Sequence, residues 1–107
     1  MSTLTASSTT PSAGKTAINF TVAGAPANTA TGYNTANYPA SPAIKYYISV
    51  EKTGATSLRS EVFTPDAVNG AHVWPAVVIP SSGSWTGYLR LVSDDSSVAN
   101  TGTITAS

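Results

Sequence analysis

Hydrophobic and polar residues alternate in several short stretches of the chain, with the period of two that is typical of a half-buried β-strand. In AINFTV, the apolar residues Ile18, Phe20 and Val22 alternate with polar ones. AIKYYISVEK, residues 43–52, alternates over a longer stretch, and its Tyr46 is expected to face the core with the two isoleucines. Apolar residues do not recur with the helical period over three turns anywhere in the chain. The pattern therefore predicts strands and no long helix.

Turn-forming residues separate these stretches at short intervals. TGAT, residues 53–56, is expected to join AIKYYISVEK to SLRSEVF as a β-hairpin, and both TPDAVNG and IPSSGS carry turn chemistry. Pro75 interrupts the apolar stretch HVWPAVVIP, and because proline lacks a backbone N–H this strand is expected at a sheet edge or at a kink between sheets. Two further strands are predicted in WTGYLRLV and GTITA. About seven such strands predict a single all-β domain, an antiparallel β-sandwich.

The beginning of the chain has a different composition. Residues 1–15 consist almost entirely of Ser, Thr, Ala, Pro and Gly. Such a segment has too little apolar surface to offset the entropy of ordering, so a flexible N-terminal arm is predicted over residues 1–15, followed by the sandwich over residues 16–107. An extended arm that lies on a neighbouring subunit is the functional alternative to a frayed terminus.

The stretch SSGSWTGYLRLV raises the question of whether Trp85 is a buried anchor or an exposed platform for a ligand. Trp85 shares a predicted strand face with Gly87 and Leu89, which favours burial with the indole N–H near a partner. The stretch resembles the start of strand F in immunoglobulin-like domains, although Trp85 stands where that family has a tyrosine and Gly87 where it has a cysteine. The resemblance implies an Ig-like sandwich.

Composition and charge exclude several classes of function. Only 9% of the 107 residues are charged and the formal net charge is zero, whereas about a quarter of a typical domain is charged. A neutral surface does not attract nucleic acid. The absence of cysteine excludes disulfides and zinc–thiolate sites. No signal peptide and no apolar run of about 20 residues is visible, so synthesis in the cytoplasm and no membrane association are expected.

No motif for catalysis or cofactor binding stands out. The single histidine, His72, has no companions for a triad, and no serine lies in a G-x-S-x-G elbow. Asp94 and Asp95 lack the spacing of a calcium loop and are expected in a solvated turn. We therefore expect no enzymatic activity, no cofactor and no metal site.

A small, cysteine-free and nearly uncharged β-sandwich rich in Ala, Ser and Thr resembles the capsid decoration (cement) proteins of tailed bacteriophages, and the Ig-like modules of their heads, tails and baseplates. The resemblance implies a structural protein of the virion that binds the major capsid protein or other virion subunits, often as a homo-oligomer such as a trimer. By this analogy the candidate contact residues are in the arm and on the proline-containing strand: Ser2, Thr3, Leu4, Thr5, Lys15, Val73, Trp74 and Val78.

Two alternatives remain open at this point. One is a tail or baseplate subunit that joins other subunits in a ring or tube. The other is a carbohydrate-binding sandwich that recognises a cell-surface sugar, with Trp74 as a stacking platform or with Tyr33 and Tyr38 in the long irregular stretch of residues 23–43.

Overall fold

The computed structural model describes residues 2–27, 43–66 and 68–107, and these residues form strands and turns without a helix. One antiparallel sheet has the strand order β1-β2-β5, and a second has the order β4-β3-β6-β7. The prediction of a single all-β sandwich of about seven strands is confirmed. The strands are β1 (Thr3–Ala6), β2 (Ala17–Ala23), β3 (Tyr46–Glu51), β4 (Leu58–Arg59), β5 (His72–Val78), β6 (Gly83–Leu91) and β7 (Ser97–Ala106).

The alternating pattern of the sequence places the core between the two sheets. In β2, Ile18, Phe20 and Val22 are buried and the residues between them are exposed, which is the pattern that AINFTV predicts. The other sheet contributes inward residues from three strands, among them Ile48, Leu89 and Ile104, all fully buried. Burial of these side chains is the main term that stabilises the sandwich.

Trp85 is a buried anchor. Its side chain has no exposed surface, and its indole Nε1 donates a hydrogen bond to the carbonyl oxygen of Ser81 at 2.9 Å. The interpretation of Trp85 as a core residue is therefore confirmed. The glycine two positions later also has a packing reason, because a Cβ on Gly87 would lie 3.0 Å from Cε1 of Phe20 and 3.0 Å from Cγ2 of Thr101.

Turns form at residues where the sequence predicts them. TGAT joins β3 to β4 in an antiparallel hairpin, with Gly54 at a φ of 81°. In TPDAVNG, the Asp66 carboxylate accepts hydrogen bonds from the backbone N–H groups of Val68 and Asn69. These bonds lower the pKa of Asp66, and they fix the turn that leads into β5.

The N-terminal segment corrects the expectation of a flexible arm over residues 1–15. Residues 3–6 are β1, which pairs with β2 and inserts Leu4 into the core with 3% of its surface exposed. The chain then crosses to the other sheet, where Thr9 and Pro11 accept hydrogen bonds from the backbone N–H groups of Thr105 and Ser107. Both partners advance in the same direction, so this pairing is parallel. The boundary expected at residue 15 is therefore absent.

Strand β5 lies at the edge of the three-stranded sheet, as Pro75 predicts. The register of β2 against β5 shifts between Ile18 and Phe20, which marks a bulge. At the bulge Ala76 has a φ of 56°, and its N–H donates to Oδ1 of Asn19 at 3.0 Å. The side chain of Asn19 thus replaces the sheet partner that Ala76 loses in the bulge.

Candidate functional site

Charge is distributed unequally between the two sheets. The chain has ten charged residues, and none of them lies on β1, β2 or β5. Three lie on strands of the four-stranded sheet, namely Glu51, Arg59 and Arg90, and the other seven lie in turns and connections. One sheet of the sandwich is therefore without charge along all three of its strands.

The outward side of this three-stranded sheet is called the charge-free face below. Across its middle, Thr5 pairs with Thr21, and Thr21 pairs in turn with Val73. Val73 is 48% exposed, although it is a large apolar residue on a regular strand. Small hydroxyl and methyl groups, the carboxamide of Asn19 and the exposed Pro75–Ala76 bulge make up the rest of the surface. The face consists of Thr3, Thr5, Ala17, Asn19, Thr21, Ala23, Val73, Pro75, Ala76 and Val78.

The structure brings together four of the residues that the sequence nominates for partner contact. Thr3 and Thr5 from β1 share the charge-free face with Val73 and Val78 from β5. Val78 is 40% exposed and pairs with Ala17 at the far end of the face. These residues are far apart in sequence, and β2 joins them because it pairs with both strands.

Two other nominated residues lie elsewhere. Leu4 is buried in the core of this chain, so its nomination as a partner contact is corrected: its side chain alternates inward between two exposed threonines. Trp74 is half-buried and packs against Phe20 with 5.7 Å between the ring centroids. The remaining two, Ser2 and Lys15, lie just before β1 and in the turn before β2.

The outer side of the four-stranded sheet is built differently, from charged groups paired with aromatic rings. The hydroxyl of Tyr47 donates to Oδ1 of Asp95 at 2.7 Å and accepts from Nη2 of Arg59 at 2.8 Å. The Arg59 guanidinium also lies 4.3 Å from the ring centroid of Tyr47. Burial and the hydrogen bond to Asp95 raise the pKa of Tyr47, so its hydroxyl stays protonated as a donor.

Arg90 organises the adjacent part of this surface. Its guanidinium donates to both carboxylate oxygens of Glu51, at 2.9 and 3.1 Å, and lies 4.7 Å from the ring centroid of Tyr88. A third bond joins it to the backbone carbonyl of Asp95 at 2.9 Å. Burial acts to raise the pKa of Glu51, but the hydrogen bonds from Arg90 and Ser49 outweigh it, so the pKa is lowered. The hydrogen-bonding groups of Glu51 and Arg90 are thus paired within the fold.

His72 has a packing role at the start of the edge strand β5. Its ring stacks on Phe63 with 3.8 Å between centroids and an interplanar angle of 8°. Burial lowers the pKa of His72, and the charge of Glu61 opposes this shift. Within residues 2–27, 43–66 and 68–107, no group of three or more His, Asp or Glu side chains is arranged to hold a metal ion.

The aromatic residues do not form an exposed stacking platform in the described part of the chain. Tyr46 is 2% exposed and faces the core as expected, with its hydroxyl donating to the carbonyl of Pro26 at 2.8 Å. Tyr47 is 6% exposed. Tyr33 and Tyr38, which were expected to present rings on a loop, lie outside the described residues.

The segregation of charge is the feature that the sequence reasoning missed. Its signal is present in the sequence, because AINFTV and HVWPAVV contain no charged residue whereas AIKYYISVEK and YLRL do. What the sequence does not show is that the first two stretches are neighbours in one sheet. The pairing of β2 with β5 joins residues fifty or more positions apart.

Comparisons of the chain with protein-family models, with curated proteins and with solved structures found no match in any of the three. In the described residues there is also no helix with the length and apolar character needed to cross a bilayer. The chain's function is therefore inferred from the geometry and chemistry of its two outer surfaces.

Proposed function

We propose that this chain is a structural protein of a virion, a capsid decoration protein that binds the surface of a bacteriophage head through its charge-free face. The observation that carries the proposal is the absence of all ten charged residues from the three strands of one sheet. The centres of protein–protein interfaces are depleted of charge, because a buried unpaired charge is costly. Exposed Val73 and Val78 add apolar surface to this face.

The size of the face favours a repeating partner. Strands about 4.8 Å apart, with about 3.3 Å per residue, give three strands of this length a footprint of roughly 300 Å². A stable interface covers about 800 Å² on each partner. A single contact through this face is therefore expected to be weak, and firm attachment requires several linked contacts on an ordered lattice. Homo-oligomerisation, for example as a trimer, would supply that linkage.

The edge of β5 supports contact through the face instead of through strand pairing. Pro75 cannot donate a backbone hydrogen bond, and the left-handed Ala76 bends the strand at the bulge. Proline and bulges at an edge prevent edge-to-edge association of sheets. The paired charges of Glu51 and Arg90, on the opposite sheet, would then face solvent.

Binding to empty capsid shells tests the proposal. The wild-type protein is expected to sediment with the shells. Thr21→Lys places a charge at the centre of the charge-free face and is expected to weaken binding by about tenfold per contact or more, because the ammonium must be desolvated without a partner. Thr103→Lys, at an exposed position on β7, is the matched control and should bind as wild type.

Either of two results would contradict the proposal. The first is no sedimentation of the wild-type protein with shells. The second is an equal loss of binding in Thr21→Lys and Thr103→Lys, which would show that added charge acts without regard to the face.

A tail or baseplate subunit would use the same charge-free face and is the second candidate. It is separated from the first by offering purified tails in place of shells. Sedimentation with tails but not with shells would assign the chain to the tail. The charge-free face would then still be the interface, but its partner would be a tail protein.

A further inference from the structure

A polar depression lies on the outer side of the four-stranded sheet, opposite the charge-free face. It has a volume of about 290 Å³ and lies where the ends of β3 and β6 meet the β3–β4 hairpin. Glu51 and Thr86, which pair across the two strands, both line it. Its volume is close to the lower end of the range of about 300–1,000 Å³ for small-molecule sites.

Four hydroxyl groups converge on this depression, from Thr53, Ser57, Ser84 and Thr86. They take part in none of the side-chain hydrogen bonds found among the described residues. Each hydroxyl can donate one hydrogen bond and accept two. The depression thus offers several donors and acceptors that the fold itself does not use.

The charged groups around the depression already have partners within the fold. Glu51 is held by the two hydrogen bonds from Arg90. Lys52 donates from Nζ to the carbonyl of Ser82 at 2.8 Å, and its Nζ also lies 5.9 Å from the ring centroid of Trp85. An ionic ligand would have to compete with these contacts, so the chemistry of the depression favours a neutral one.

The positions of Glu51 and Tyr88 are fixed before any ligand binds. Arg90 contacts both residues, holding the carboxylate through two bonds and lying over the Tyr88 ring at 4.7 Å. The carboxylate oxygens retain lone pairs that can accept from neighbouring hydroxyls of a ligand. Tyr88 lines one side of the depression, and the surface that the depression exposes is almost entirely polar. Fixed polar groups lower the entropic cost of binding.

From these observations we infer that the depression is a binding site for a neutral pyranose sugar. The ring hydroxyls of the sugar would bond to the Ser and Thr hydroxyls and to the Glu51 carboxylate. The site is open, and each hydrogen bond replaces one to water, so an affinity of about 1–10 mM is expected. The inference is independent of the proposed function, since it concerns the opposite sheet.

The experiment is an NMR titration of the isotope-labelled protein with the methyl glycosides of glucose, galactose and N-acetylglucosamine. At least one of them is expected to give saturable shifts of backbone amides confined to residues 51–57 and 84–88. Thr86→Val removes a hydroxyl from the site but keeps the β-branched shape, and it is expected to weaken binding about fivefold or more. Thr103→Val, the strand partner of Thr86 outside the depression, should bind as wild type.

Three outcomes would overturn the inference: no saturable shift with any of the glycosides, shifts that map to another surface, or equal affinity in wild type and Thr86→Val. The amide spectrum of each variant reports whether it is folded. Because Thr86 is not on the charge-free face, Thr86→Val should leave binding to capsid shells unchanged, so a failure here does not bear on the proposed function.

Discussion

Gly87 lies where the packing between the two sheets leaves little room for a side chain. It lies in the middle of β6, in the core, between the ring of Phe20 on the facing sheet and the side chain of Thr101 on β7. The Phe20 ring fills the space that a side chain at this position would need. The sequence shows a glycine at this position, but only the structure shows that neighbouring side chains leave little room for a larger residue.

Gly87→Ala is expected to lower the free energy of unfolding by about 1–3 kcal/mol, the range for added volume in a packed core. The new Cβ would lie 3.0 Å from both Phe20 and Thr101, so the ring and the threonine must move. Urea denaturation of wild type and variant measures the change.

Phe20→Leu provides the control for this explanation, since it removes the atom that the new Cβ would meet. The double variant should be less destabilised than the sum of the two single variants by about 1 kcal/mol. Strict additivity would show that the contact with Phe20 is not the cause.

His72 is the residue that should make stability depend on pH near neutrality. Burial lowers its pKa in the folded state below the ordinary 6.5 that it has when unfolded. Between the folded pKa and 6.5, the unfolded chain binds more protons, so stability falls as the pH is lowered through this window. Above 6.5 both states hold a neutral ring and this dependence disappears.

The variant His72→Phe keeps the stacking on Phe63 and removes the titration. Urea midpoints at about pH 7.5 and about pH 5.2 should differ for wild type and converge for the variant. Glu51 and Asp66 have lowered pKa values and titrate below this range. An unchanged midpoint in wild type between the two pH values would contradict the burial of His72.

At the scale of elements, the N-terminal segment shows where reading the sequence fails. A single apolar residue, Leu4, among serines and threonines gives no strand pattern, so composition predicts a flexible arm. The segment is ordered because its backbone pairs with β2 and then with the end of β7, and because Leu4 fills a place in the core. Local composition does not reveal that a backbone segment pairs with strands that are distant in the sequence.

Leu4→Ala tests this arrangement. A buried leucine replaced by alanine costs about 2–4 kcal/mol, so the variant should be clearly less stable, whereas truncation of a flexible arm residue would cost nothing. Thr3→Ala, at the neighbouring exposed position, is the matched control and should change stability by less than about 0.5 kcal/mol. Equal stability of Leu4→Ala and wild type would contradict the burial of Leu4 and support a flexible arm over residues 1–15.

The strands of the body were predictable for a different reason. Strands such as β2 and β6 are long enough for their alternation to show, as in AINFTV, and Pro75 correctly marks an edge strand. The division of the strands between two sheets was not predictable, because β6 pairs with β3 and β7 while β5, its neighbour in sequence, joins the other sheet. Such pairings depend on packing over the whole chain.

At the scale of the whole molecule, the two outer surfaces have opposite character. The strands of the three-stranded sheet carry no charge, and the four-stranded sheet carries an ion pair and two guanidinium groups that lie over tyrosine rings. The three charged residues that lie on strands are therefore all on one sheet. Under the proposed function, the charge-free face would lie toward the partner and the four-stranded sheet toward water.

The most direct test of this orientation is hydroxyl-radical footprinting of the protein free and bound to capsid shells. Exposed valines serve as probes on both sides of the molecule. We predict that oxidation of Val73 and Val78, on the charge-free face, falls strongly on binding, while oxidation of Val92 and Val98, beyond β6 and on β7, stays as in the free protein. Protection of Val98 with unchanged oxidation of Val73 and Val78 would contradict it.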